Sequence, residues 1–95
     1  MVRYGTSDLK KSAFTRNVSE TGMCLQTNDV FRPGSRIQVQ FKLEDRTFSM
    51  HARVIWAKTL PSKLAYVHGC GMGICFIEPS LDWIQYYNKW IIKSF

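Results

Sequence analysis

Arg36-Ile37-Gln38-Val39-Gln40-Phe41-Lys42-Leu43, then Glu44-Asp45, then Arg46-Thr47-Phe48-Ser49-Met50-His51-Ala52-Arg53-Val54-Ile55-Trp56 is the stretch that decides the fold. Apolar residues recur at every second position on both sides of the acidic pair, the period of a strand with one face in a core and one in water. Ile37, Val39, Phe41 and Leu43 form one apolar row. Phe48, Met50, Ala52, Val54 and Trp56 form the other, with Thr47, Ser49, His51 and Arg53 opposite them. Two such runs joined by two turn residues predict a long antiparallel hairpin.

Working outward, Arg32-Pro33-Gly34-Ser35 is a strong turn signal just before the hairpin, because proline presets φ and glycine accepts a positive one. Upstream, Ala13 to Val18 and Gly22 to Thr27 read as strands on either side of a Ser-Glu-Thr-Gly turn, with Met23 and Leu25 on a shared face. Downstream, Leu60-Pro61-Ser62-Lys63 marks a loop and Leu64 to Ile77 a further strand. There Met72, Ile74 and Phe76 face one way and Gly71, Gly73 and Cys75 the other, the glycines implying a bend or a close approach. From Ser80 the period changes to that of a helix over about 80–94, with Ser80 as its cap and Asp82 complementing the helix dipole. Asp82, Gln85, Lys89 and Lys93 share one side. Trp83, Ile84, Tyr87, Trp90, Ile91 and Phe95 make an apolar face broad enough to cover the end of a small barrel. Five or six short strands and one helix predict an all-β fold, a small antiparallel barrel or sandwich with a helical lid.

The chain has 95 residues, enough for one core, so residues 1–95 are expected to form a single domain. With 45% hydrophobic and 21% charged residues it has the apolar surface to fold. Thirteen Lys and Arg against seven Asp and Glu leave a net charge of +6, which favours an anionic partner. No apolar run has the roughly 18 residues needed to span a bilayer, and Met1-Val2-Arg3-Tyr4 opens no secretory segment. Cys24, Cys70 and Cys75 are odd in number and contain no Cys-x-x-Cys pair, so a disulfide framework and a zinc site are both disfavoured. They read as small buried thiols of a cytoplasmic protein. No enzyme signature is present. His51 falls on the polar face of a strand, His68 lies in no recognisable motif, and the scattered carboxylates offer no acid/base pair. No metal or cofactor is expected.

Arg16-Asn17-Val18-Ser19-Glu20-Thr21-Gly22 carries a different signal. Asn17, Ser19 and Gly22 resemble the Asp/Asn-x-Ser-x-x-Gly signature of the PilZ domain family, bacterial receptors for the second messenger cyclic di-GMP. Val2-Arg3-Tyr4 is similar to the end of that family's first strand. Phe31-Arg32-Pro33-Gly34, the strand from Arg36 to Phe41, Cys70 to Phe76 and the terminal helix resemble the turn, the later strands and the last helix of such domains. The resemblance implies a six-stranded barrel with a C-terminal helix, no catalysis, and output to motility, biofilm or exopolysaccharide production through a protein effector. It also implies ligand contacts from Asn17, Ser19 and Gly22, and the chemistry of Arg16, one residue before the motif, adds it to this set. Arg16 could stack on a guanine or pair with a phosphate. Asn17 can both donate and accept, Ser19 offers a hydroxyl, and Gly22 a positive φ and close approach. The same three motif residues could equally serve only to build the turn.

The family's second element, Arg-x-x-x-Arg ahead of the first strand, has no counterpart before Val2; Arg32 and Arg36 share its spacing but come after the motif, in a turn. Two readings therefore stand side by side. One is a cyclic di-GMP receptor. The other is a divergent PilZ domain that binds proteins through Trp83, Trp90 and Phe95 or through Leu60 to Tyr66. Single-stranded nucleic acid would need exposed aromatics to stack its bases, whereas Phe41, Phe48 and Trp56 fall on the predicted core side, and no DNA is expected as a partner.

Overall fold

The computed structural model describes residues 1–59 and 71–93, apart from the side chains of Arg16, Ile92 and Lys93. Six strands run β1 (Val2–Gly5), β2 (Lys11–Val18), β3 (Gly22–Gln26), β4 (Arg36–Leu43), β5 (Arg46–Lys58) and β6 (Gly71–Ile77), followed by helix α1 (Leu81–Lys93). All pairs are antiparallel. They close in the order β1-β2-β3-β6-β5-β4, with β4 returning to β1. The barrel leaves no free sheet edge, which is how a small antiparallel sheet hides its unpaired backbone groups.

The alternation of the central hairpin becomes the inside of this barrel. Ile37 lies opposite Ala52, Val39 opposite Met50 and Phe41 opposite Phe48, and all six are buried. Glu44 turns the hairpin at φ 54°. Met23 and Leu25 of β3 and Met72, Ile74 and Phe76 of β6 complete the wall from the other side. Arg32-Pro33-Gly34-Ser35 forms the expected turn, with Gly34 at φ 93° and the Ser35 N–H donating to the Arg32 carbonyl at 3.0 Å. Of the strand expected from Leu64, the part from Gly71 is present; residues 64–70 lie outside the described residues.

One end of the barrel is closed by α1. The Ser80 hydroxyl accepts from the Trp83 N–H at 3.2 Å, the cap the sequence predicts. Trp83 is wholly buried, with ring centroids 5.2 Å from Phe41, 5.0 Å from Phe48 and 6.0 Å from Phe76 in edge-on contacts. The Tyr86 hydroxyl donates to the Leu43 carbonyl and Asp82 pairs with Arg46 at 2.9 Å, so the helix also grips the tip of the β4–β5 hairpin. Ile84 and Tyr87 pack partly against the core. Among the described residues, no helix is long and apolar enough to cross a membrane.

Two expectations about side chains are corrected. Trp56 does not enter the core. β5 carries a bulge: Val54 pairs with Ile74, Ile55 is skipped, and Trp56 pairs with Gly73 instead of Met72. The extra residue turns Trp56 outward and gives the inward position to Ala57. Cys24 and Cys75 are not buried either. Their strands give Met23, Leu25, Ile74 and Phe76 to the core, so the alternating thiols face out, Cys24 half-buried and Cys75 exposed; Cys70 lies outside the described residues.

Tyr4 supplies a titratable group inside the wall. Its hydroxyl lies 2.7 Å from the Asp29 carbonyl and 3.0 Å from the Thr27 hydroxyl. Burial raises its pKa above the ordinary 10.0; the Thr27 contact opposes the rise and the Asp29 carboxylate adds to it. The folded state thus holds this proton more tightly than the unfolded chain. The associated stability is complete below about pH 10 and is lost as pH rises through the folded-state value. Tyr4→Phe is expected to cost about 1 kcal/mol at neutral pH and to flatten the alkaline fall of the melting temperature relative to wild type, read by thermal melts from pH 7 to 11.

Candidate functional site

A groove of about 310 Å³ runs over the outside of the barrel, from the β2–β3 turn across β6 to the bulge of β5. Asn17, Ser19 and Gly22 line it at one end and Ile55 and Trp56 at the other, with Cys24, Gly73 and Cys75 between them. The structure therefore brings three of the four residues singled out by the sequence to one surface. The side chain of the fourth, Arg16, lies outside the described residues.

Each end is made by a bulge. In β2, Thr15 pairs with Leu25 and Val18 with Met23, so three steps on β2 match two on β3. The extra residue lets Val18 resume the inward row while Asn17 stays outside with Cys24. Thr15 steadies the irregularity by donating its hydroxyl proton to the Cys24 carbonyl at 2.7 Å. In β5 the equivalent slip leaves Ile55 57% and Trp56 43% exposed as neighbours on the groove wall. Neither feature can be read from a period of two, which is why Trp56 is missed by sequence reasoning. The one local sign is Gly73. A Cβ there would overlap the pyrrole edge of the Trp56 indole, so the glycine is the seat on which that ring lies.

The motif residues divide into different tasks. Ser19 ties the turn: its hydroxyl oxygen accepts from the N–H groups of Gly22 at 3.1 Å and Thr21 at 3.3 Å, and its own N–H donates to the Gly22 carbonyl at 2.8 Å. Gly22 keeps an ordinary φ, contrary to expectation. It is needed because a Cβ would overlap the carbonyl oxygen of Ile74 on β6. Asn17 is exposed, and among the described residues its side-chain amide has no partner, leaving donors and an acceptor open to the groove. The Glu20 carbonyl accepts from the Trp83 indole N–H at 3.0 Å and the Thr21 carbonyl from the Phe76 N–H at 2.7 Å, so the turn is held from below by α1 and β6.

Other candidates fall away from the groove. Trp83, expected with Trp90 and Phe95 as a protein-contact surface, is wholly buried because it plugs the barrel. Phe95 and Leu60 to Tyr66 lie outside the described residues. Phe41 and Phe48 are core residues as expected; Trp56 is not, so the aromatic requirement for base stacking is met at one groove position. His51 is exposed. No cluster of three or more His, Cys, Asp or Glu able to hold a metal ion occurs among the described residues.

The family model for the PilZ domain matches residues 2–89. No curated protein and no solved structure gives a significant match.

The two groove glycines are expected to respond differently to a methyl group. Gly22→Ala meets rigid backbone and should lose about 2 to 3 kcal/mol in thermal unfolding. Gly73→Ala meets a side chain at the surface. It should leave the melting temperature within a few degrees of wild type while shifting tryptophan emission as the indole lifts into water. A wild-type melt for Gly22→Ala would refute its placement against Ile74.

Proposed function

This chain belongs to the PilZ domain family, a family of cyclic di-GMP receptor-type modules that are generally non-enzymatic, and we propose that it takes cyclic di-GMP in the groove between Asn17 and Trp56 and passes that signal to a protein effector. The observation that carries this reading is the outward Trp56, seated on Gly73 and facing the same groove as the Asn17 amide, which has no partner among the described residues. A planar guanine needs an apolar face beneath it and hydrogen-bonding groups at its edge. Trp56 with Ile55 provides the first, a contact of about 1 to 3 kcal/mol per stacked base. Asn17 provides the second, because one amide can donate to a purine acceptor and accept from its N–H.

Ser19 and Gly22 act one step back. They hold the turn so that Asn17 stays at the rim, at the cost of their own hydrogen-bonding capacity. The turn also touches the buried plug through the Glu20 carbonyl, so a ligand that displaces it acts on the seating of α1. Control of motility, biofilm or exopolysaccharide output would then arise from a changed helix surface rather than from chemistry on the ligand.

Calorimetric titration with cyclic di-GMP is expected to show saturable binding, accompanied by quenching of Trp56 emission. Asn17→Ala should weaken it by about tenfold and Trp56→Ala by about fivefold to a hundredfold, while Trp56→Phe keeps most of the affinity. Absence of heat and of quenching in wild type sinks the proposal.

A further inference from the structure

Arg53 and Arg36 are register partners on the outer face of the β5–β4 pair, both exposed. Two like charges directly opposite one another on a sheet repel, a modest cost at an exposed position that a bound anion offsets. Among the described residues no carboxylate pairs with either. The ion pairs among the described residues are Lys10 with Asp8, Lys11 with Asp29 and Arg46 with Asp82. One Arg53 N–H donates to the Gly34 carbonyl at 3.1 Å, leaving four of the five guanidinium donors without an acceptor among the described residues. Arg36 has no partner among them.

The position of Arg53 relative to the groove is set by the sheet. Its partner across the β5–β6 ladder is Cys75, and the partner of Cys75 on β3 is Gly22 of the motif turn. Its neighbour two residues along its own strand is Ile55. Cys75 and Ile55 both line the groove, so the Arg53 backbone lies beside it, while its guanidinium is turned to the Gly34 carbonyl on the β4 side. At about 4.8 Å per strand, its backbone is roughly 10 Å from Gly22, so an exposed arginine that exchanges the Gly34 carbonyl for a ligand anion and swings across the small Cys75 side chain reaches the groove.

We infer that Arg53 is the cation of this site: its guanidinium receives a phosphodiester anion of the ligand whose base lies on Trp56, with Arg36 raising the positive potential behind it. This rests on the reading of the groove as a cyclic di-GMP site and adds to it a residue on the barrel wall. The planar fork of an arginine suits the paired oxygens of a phosphodiester, whereas a lysine offers the charge alone.

The test is titration of the full chain with cyclic di-GMP at low and high salt, by calorimetry and tryptophan quenching, for wild type, Arg53→Gln, Arg53→Lys and Arg36→Gln. Arg53→Gln is expected to bind about tenfold to a hundredfold more weakly, with a shallower salt dependence and an unchanged or slightly higher melting temperature. Arg53→Lys should recover part of the loss. Arg36→Gln should cost about twofold to threefold, at low salt only. Wild-type affinity in Arg53→Gln overturns this assignment and leaves the groove reading standing, as does a loss in Arg36→Gln larger than that in Arg53→Gln. No binding by wild type overturns the groove reading and the role of Arg53 together.

Discussion

The indole of Trp83 fills one end of the barrel, edge-on to Phe41, Phe48 and Phe76, and its N–H ends on the carbonyl of Glu20. A six-stranded barrel of this length cannot fill its own ends with side chains from the strands, because inward positions run out where the strands turn. A single large aromatic delivered by the helix does so, and its one polar atom must then find an acceptor inside. That acceptor is the backbone of the motif turn. Core closure and helix docking therefore depend on one residue that also braces the Ser19 to Gly22 turn, and truncating it would open a cavity and orphan a carbonyl at once.

The groove depends on the same economy of packing. Barrel closure demands an unbroken inward row, and the two strands that cannot supply one in phase each insert a residue. In β2 the insertion moves Val18 into line and leaves Asn17 outside. In β5 it brings Ala57 opposite Met72 and expels Trp56. The two displaced side chains end up on the same outer surface with only β3 and β6 between them, and Gly73 and the small Cys24 and Cys75 keep that strip low. A concave, partly apolar surface with polar ends results on the outside of a barrel whose interior is solid.

Much of this is legible in residue order. The rows Ile37-Val39-Phe41 and Phe48-Met50-Ala52-Val54 predict the hairpin and its inner face, Pro33-Gly34 the turn, and Ser80 the helix start. Asn17-x-Ser19-x-x-Gly22 points to the site end and to the family. The departures have a common cause. Continuing a period of two across a bulge puts Trp56 inside, and residue type alone buries the thiols although their neighbours already hold the inward positions. At Gly22 the turn suggests a need for positive φ, when what matters is the distance between β3 and β6.

Local chemistry along the chain thus determined which segments are strands, which is the helix, which faces are apolar and which family the turn belongs to, because alternation, caps and turn residues act over a few positions. The tertiary structure alone decided that Asn17, Trp56 and Cys75 share one groove, with the Arg53 backbone beside it. Their meeting requires register between strands far apart in the chain, and that register is set where the barrel closes: each bulge is placed by what the core can hold on the strand beside it.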